Sequence, residues 1–202
     1  MKVLRLFLGL FFSLVLVGAG APQKSEQQVF PEQSIYHLTA TWKTQDGVAT
    51  KVGLKQGSLV LIGMIYSGCP HACPMTITKL QRIEKDLESR GVKSFQVILA
   101  SIDVKKDTPK QLKKYMRSRS LDENRWTFLS PTKESHVREL AAVLGISYRA
   151  LPGGEYAHSN IMTLLDSSGV PIAKIENLSS DHAPIVEAAV AATNKSPQAD
   201  AK

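Results

Sequence analysis

The stretch Ser58-Leu59-Val60-Leu61-Ile62-Gly63-Met64-Ile65-Tyr66-Ser67 offers almost no polar side chain to water. An apolar run of this length and β-branched content predicts a strand over Val60–Tyr66 that is buried on both faces, which requires helices on both sides of its sheet. The residues after it change period. From Pro74 to Arg90, Ile77, Leu80, Ile83 and Leu87 recur at helical spacing, and Gly91 is a natural stop. Phe95–Ile102 is a second buried strand. Thr108-Pro109 opens a helix that runs to about Arg119, with proline at the first helical position.

Further along, Trp126–Leu129 reads as a short strand and Glu134–Leu144 as a helix ended by Gly145. Asn160–Leu165 and Pro171–Ile175 flank Asp166-Ser167-Ser168-Gly169 and read as a hairpin, and Pro184–Thr193 as a final helix. Strand–helix alternation followed by a hairpin and a helix predicts an α/β fold, a mixed sheet flanked by helices. Tyr36–Leu54 adds a small N-terminal β-hairpin around Asp46-Gly47.

The ends carry other signals. Lys2 and Arg5 precede a twelve-residue apolar run, Leu6–Val17, and the small residues Gly18-Ala19-Gly20-Ala21 follow. That order is a secretory signal over residues 1–21, or an N-terminal anchor if it is retained; the run is short against the about 20 residues of a membrane span. It predicts export from a bacterial cytoplasm into the periplasm, free or held at the inner membrane. Residues 22–34 read as a polar linker, residues 35–193 as the folded domain and residues 194–202 as a disordered tail. The net charge is +7, two of which are Lys2 and Arg5, and no run of four basic residues occurs, so nucleic-acid binding is not indicated.

The chain has two cysteines, Cys69 and Cys73, in Tyr66-Ser67-Gly68-Cys69-Pro70-His71-Ala72-Cys73-Pro74. They fall where the first strand gives way to the first long helix. Unpaired N–H groups and the positive end of the helix dipole stabilise a thiolate at such a junction. With Pro74 as the first helical residue, Cys73 would lie near the N-cap. Three chemistries fit the pair: a structural disulfide, which would stabilise little across so small a loop; a redox dithiol, though one spaced by three residues rather than the two of thioredoxin; and a soft-metal site. Two thiolates and an imidazole suit copper in either oxidation state. Zinc would want a fourth ligand. Five histidines could supply the imidazole. His37, His136 and His182 lie in the N-terminal hairpin region, an amphipathic helix and the approach to the last helix. His71 lies between the cysteines. His158 lies in a flexible Gly153-Gly154-containing loop that leads into a late strand, where sheet-end sites gather.

These residues resemble the Sco/SenC family, copper-binding assembly factors of cytochrome c oxidase with a thioredoxin-like fold. The match runs from about Ile35 to Thr193. It rests on Leu38-Thr39 before Asp46-Gly47, on Cys69-Pro70 with Cys73-Pro74, on Ser101-Ile102-Asp103 with Asp107-Thr108-Pro109, on Trp126 with Phe128-Leu129, and on His158 ahead of Leu164-Leu165-Asp166 and Gly169. The resemblance implies that Cys69, Cys73 and His158 bind copper, Cu(I) or Cu(II), and that Cys69 and Cys73 form a disulfide when oxidised. It implies a metallochaperone rather than an enzyme, with no catalytic residue. Its implied acceptor is the binuclear copper centre of cytochrome c oxidase subunit II, with a copper donor and a thiol reductant upstream. The alternative within the family is a thiol-disulfide reductase for the acceptor cysteines. Three positions depart from the family pattern: His71 where Asp or Asn is usual, Ala157 where Asp is common, and Val104 where Pro is usual.

Overall fold

The computed structural model describes residues 29–55 and 57–195. The signal segment 1–21, most of the linker and nearly all of the tail lie outside them. No helix among the described residues is long and apolar enough to cross a membrane.

A seven-stranded mixed sheet forms the core. Its strands are β1 (Trp42–Thr44), β2 (Ala49–Thr50), β3 (Leu59–Ile65), β4 (Phe95–Ser101), β5 (Trp126–Pro131), β8 (Met162–Leu165) and β9 (Pro171–Ile175), in the order β2-β1-β5-β4-β3-β8-β9. β3, β4 and β5 are parallel neighbours, and β8 runs antiparallel to β3. Every residue of β3 is buried, as its apolar run requires. The predicted hairpin around Asp46-Gly47 is β1–β2; it extends the sheet, since β1 pairs with β5. The helices are α1 (Ala72–Ser89), α2 (Pro109–Ser118), α3 (Glu134–Leu144) and α4 (Ala183–Lys195). Thr108 caps α2 by accepting the Gln111 N–H at 3.3 Å, with Pro109 at the first position as expected.

Two expectations need correction. Helix α1 begins at Ala72, so Cys73 lies inside its first turn and Pro74 is the third helical residue. Proline is tolerated there because the first N–H groups of a helix have no intrahelical acceptor. The segment around His158 is not a loop. Tyr148–Ala150 (β6) and Tyr156–His158 (β7) pair antiparallel into a separate two-stranded ribbon. Gly153 and Gly154, at φ 86° and 80°, form its turn, a conformation that suits glycine. Both strands are three residues long, too short for a periodicity to register.

One buried carboxylate ties the site end of the sheet together. Asp107 accepts the Ser67 N–H (2.9 Å), the Ser67 hydroxyl and the Ser101 hydroxyl (2.5 Å), and its carbonyl accepts the Ser130 hydroxyl at 2.7 Å. Burial pushes its carboxyl above the ordinary range, and the hydroxyl and amide donors pull it back. The ends of β3, β4 and β5 and the entry to α2 are thereby fixed to one residue.

At the opposite edge, Gly169 closes the β8–β9 turn against the N-terminal 3-10 turn Ile35–His37. Its φ is 82°, and a Cβ there would come within 2.7 Å of the Tyr36 ring and 2.8 Å of Ser34 Oγ. Gly169→Ala is expected to destabilise the fold by about 1–3 kcal/mol, through backbone strain and overpacking together. Urea unfolding measures this; an unchanged midpoint would show that the turn yields freely.

Candidate metal centre

The strand register decides what meets what. β8 runs antiparallel to β3 with Met162 opposite Gly63, so the chain entering β8 lies at the end where the chain leaves β3. Four residues before Met162 stands His158, and four residues after Ile65 stands Cys69. The fold therefore brings a distant imidazole to the sulfurs at the mouth of α1.

Cys73 is fully buried and Cys69 nearly so, and both are free thiols. Cys73 Sγ accepts the Tyr66 N–H at 3.4 Å and faces His158 Nε2 at 3.7 Å. Two donors sharing one soft ion, at thiolate and imidazole bond lengths, stand roughly 3.5–3.8 Å apart. His158 Nδ1 lies 3.0 Å from the Ser159 carbonyl, which can only accept. Nδ1 therefore carries the hydrogen, and the Nε2 lone pair is directed at the sulfur. Burial holds the His158 imidazole below its ordinary pKa, against the pull of that carbonyl, so the ring is neutral at physiological pH.

The two sulfurs differ. Burial would raise the Cys69 thiol, but the N–H groups of Cys73, His71 and Ala72 at the helix mouth outweigh it and leave its pKa lowered. The Cys73 N–H to Cys69 Sγ contact is 3.4 Å. For Cys73, burial dominates and pushes the thiol far up, and the neighbouring Cys69 adds to the rise. Cys69 thus acts as acceptor for a helix whose N-cap residue, His71, makes no side-chain capping bond.

Aromatic rings wall the site. Tyr66 meets Tyr156 edge-on at 5.4 Å and His158 at 6.1 Å between centroids. Sequence reasoning assigned no role to Tyr156 or to Asp107; the signal that could have found the latter was the pair of serines, Ser67 just beyond one predicted strand and Ser101 near the end of the other. The other histidines have their own partners. His37 Nε2 lies 2.9 Å from the Pro31 carbonyl, His136 Nδ1 lies 3.0 Å from the Thr41 carbonyl, and His182 Nε2 lies 2.7 Å from Asp86. His71 is exposed at the start of α1. Among the described residues, no three His, Cys, Asp or Glu side chains are drawn into a ready-made cage. The arrangement is one sulfur–imidazole pair with a second sulfur beside it, on a hairpin and a helix mouth.

Comparison with known proteins gives the lineage. Residues 32–193 match the family model described as SCO1/SenC. A SCO1 protein homolog of Bacillus subtilis (strain 168) is 28% identical over 142 residues, 70% of each chain. Arabidopsis thaliana ScoI, solved with copper bound, superposes with a TM-score of 0.68 at 15% identity, covering 78% of this chain and 97% of that one. BsSco, a member of the Sco family of cytochrome c oxidase assembly proteins in which a disulfide switch was identified, superposes at 0.67 with 22% identity, over 77% and 92% of the two chains. The sheet with its flanking helices is the thioredoxin-like fold of these neighbours, and the chain belongs to the SCO1/SenC family.

Proposed function

We propose that this protein is an exported copper carrier: Cys69, Cys73 and His158 hold Cu(I) or Cu(II) and pass it to the binuclear copper site of cytochrome c oxidase subunit II. The observation that supports this reading most is the directed lone pair of His158 Nε2 at 3.7 Å from Cys73 Sγ. A soft cation between them would replace the thiol proton, and Cys69 would close the third side. The copper-bound Sco neighbours and the oxidase-assembly role of BsSco agree with it. Three ligands leave one side open, so an acceptor with comparable soft ligands can exchange in without first breaking the site.

Loading is ordered by the thiols. Cys69, with the lowered pKa, supplies the first thiolate; Cys73, with the raised one, gives up its proton as the metal arrives. A reductant must keep the pair as a dithiol, because a Cys69–Cys73 disulfide has no thiolate to offer. The apolar N-terminal run carries the expectation of export.

Three outcomes test the reading. Cu(II) added to the reduced protein should give an intense sulfur-to-copper charge-transfer band that is lost in Cys69→Ser and Cys73→Ser, and lost or weakened more than tenfold in affinity in His158→Ala. His71→Asn should leave the band unchanged. If copper binds no better than to an unstructured dithiol peptide while acceptor disulfides are reduced rapidly, the reductase role replaces this one.

Without metal, iodoacetamide at neutral pH should modify Cys69 at least tenfold faster than Cys73, read by tandem mass spectrometry of the singly modified peptide. Equal rates would contradict the helix-mouth asymmetry. The third outcome concerns pH. His158 is neutral in the fold but gains a proton in the unfolded chain near its ordinary value of about 6.5. Apo-protein stability should therefore fall as pH drops below that value, and the fall should be shallower in His158→Gln. Identical pH profiles in urea titrations would remove the assigned burial effect.

A further inference from the structure

From Lys105 to Arg119 seven side chains are basic, and the only acid is Asp107, which is buried. Three of the seven are occupied. Lys113 pairs with Asp46 and Glu123, Arg117 with Glu123, and Arg119 lies over the Tyr115 ring at 5.2 Å. Lys105, Lys106, Lys110 and Lys114 are exposed and form no ion pair among the described residues.

Their placement works against local stability. Lys110 is the second residue of α2, whose first turn holds no acid, so its charge opposes the helix dipole. Lys110 and Lys114 are four apart on one helix face and repel. Choices that break a local rule without structural compensation mark surfaces kept for another purpose.

That surface borders the metal centre. Lys106 Nζ donates to the Gly154 carbonyl at 3.3 Å, in the turn of the β6–β7 hairpin that carries His158. The amides of Lys105 and Lys106 both donate to the buried Asp103 at 2.9 Å, which fixes the loop. Gln111 of α2 reaches Ser67 Oγ, two residues before Cys69, at 3.4 Å. The nearest exposed acid of the hairpin turn is Glu155.

We infer that Lys105, Lys106, Lys110 and Lys114 form a docking rim for an acidic protein partner whose own soft-metal acceptor is flanked by Asp and Glu side chains. The rim would steer the partner's acceptor onto the mouth of α1 in one orientation. An anionic lipid surface fits less well. The apolar side of α2, Leu112, Tyr115 and Met116, is buried in the core, so this helix has no apolar face to insert. The partner's having a metal acceptor rests on the copper-carrier reading; the electrostatic recognition does not.

The test therefore uses metal-free full-length protein. The probe is a fluorescein-labelled Glu-rich peptide with a pair of alkylated cysteines, followed by anisotropy and by amide NMR shifts. Binding should weaken on the order of tenfold when salt rises from about 0.02 M to about 0.15 M. It should weaken by a similar factor in the Lys→Gln variant at 105, 106, 110 and 114. A control with the same charge change at Lys43, Lys51, Lys85 and Lys93 should bind as the parent does, and the shifts should cluster at residues 105–114 and 151–158. Equal losses in the two variants would show a net-charge effect and overturn the rim. So would binding to phosphatidylserine vesicles that the variant at 105, 106, 110 and 114 loses and the peptide does not displace. A failed copper titration would leave these binding results standing, so the two readings are tested apart.

Discussion

The mouth of α1 has a shortage of hydrogen-bond acceptors, and the site follows from how that shortage is met. A helix leaves its first N–H groups without internal partners. His71, at the N-cap, offers no side chain to them, and Cys69 Sγ accepts instead. A sulfur in that position is stabilised as an anion by the same donors it satisfies. The structural requirement of the helix is therefore met by the same atom that the proposed copper site would use as a ligand. Cys73, one step inside the same helix, is deprived of that help by burial and remains a thiol until something displaces its proton.

The frame around this mouth is polar and buried. Asp107 gathers Ser67 and Ser101 on its carboxyl group and Ser130 on its main-chain carbonyl, at the ends of three parallel strands, so the loop to Cys69 is held from behind by hydrogen bonds as well as by packing. In front, Tyr66 meets the imidazole edge-on and is itself met edge-on by Tyr156.

Much of this was legible in the sequence. The all-buried β3, the Thr108-Pro109 start of α2 and the bounds of α3 follow from local rules that the tertiary structure did not override. The meeting of His158 with Cys73 did not follow from periodicity. It depends on the register of β8 against β3, a long-range pairing whose partner no local pattern names; the family resemblance named the residue, and the register explains why it arrives. The start of α1 was misplaced because Pro74 was treated as a first residue, although proline fits anywhere in a turn whose amides lack helical acceptors. The β6–β7 ribbon looked like a loop because Pro152-Gly153-Gly154 sits at its centre and its strands are half-exposed. The lysine rim was hidden in a modest overall charge, since composition cannot tell a paired Lys113 from an unpaired Lys110.

The β6–β7 ribbon lies outside the main sheet. Its base is closed by the Ser159 amide to the Ser147 carbonyl and the Ser147 amide to Ser159 Oγ, and its tip is tied to the loop before α2 by Lys106. The two sulfurs thus sit at the junction of the main sheet and α1, whereas the imidazole sits on a separate ribbon. On the copper-carrier reading proposed above, the time a metal ion is held depends on how tightly that ribbon stays closed. Substitutions in the ribbon can lengthen or shorten the hold while the global melting of the domain stays where it was.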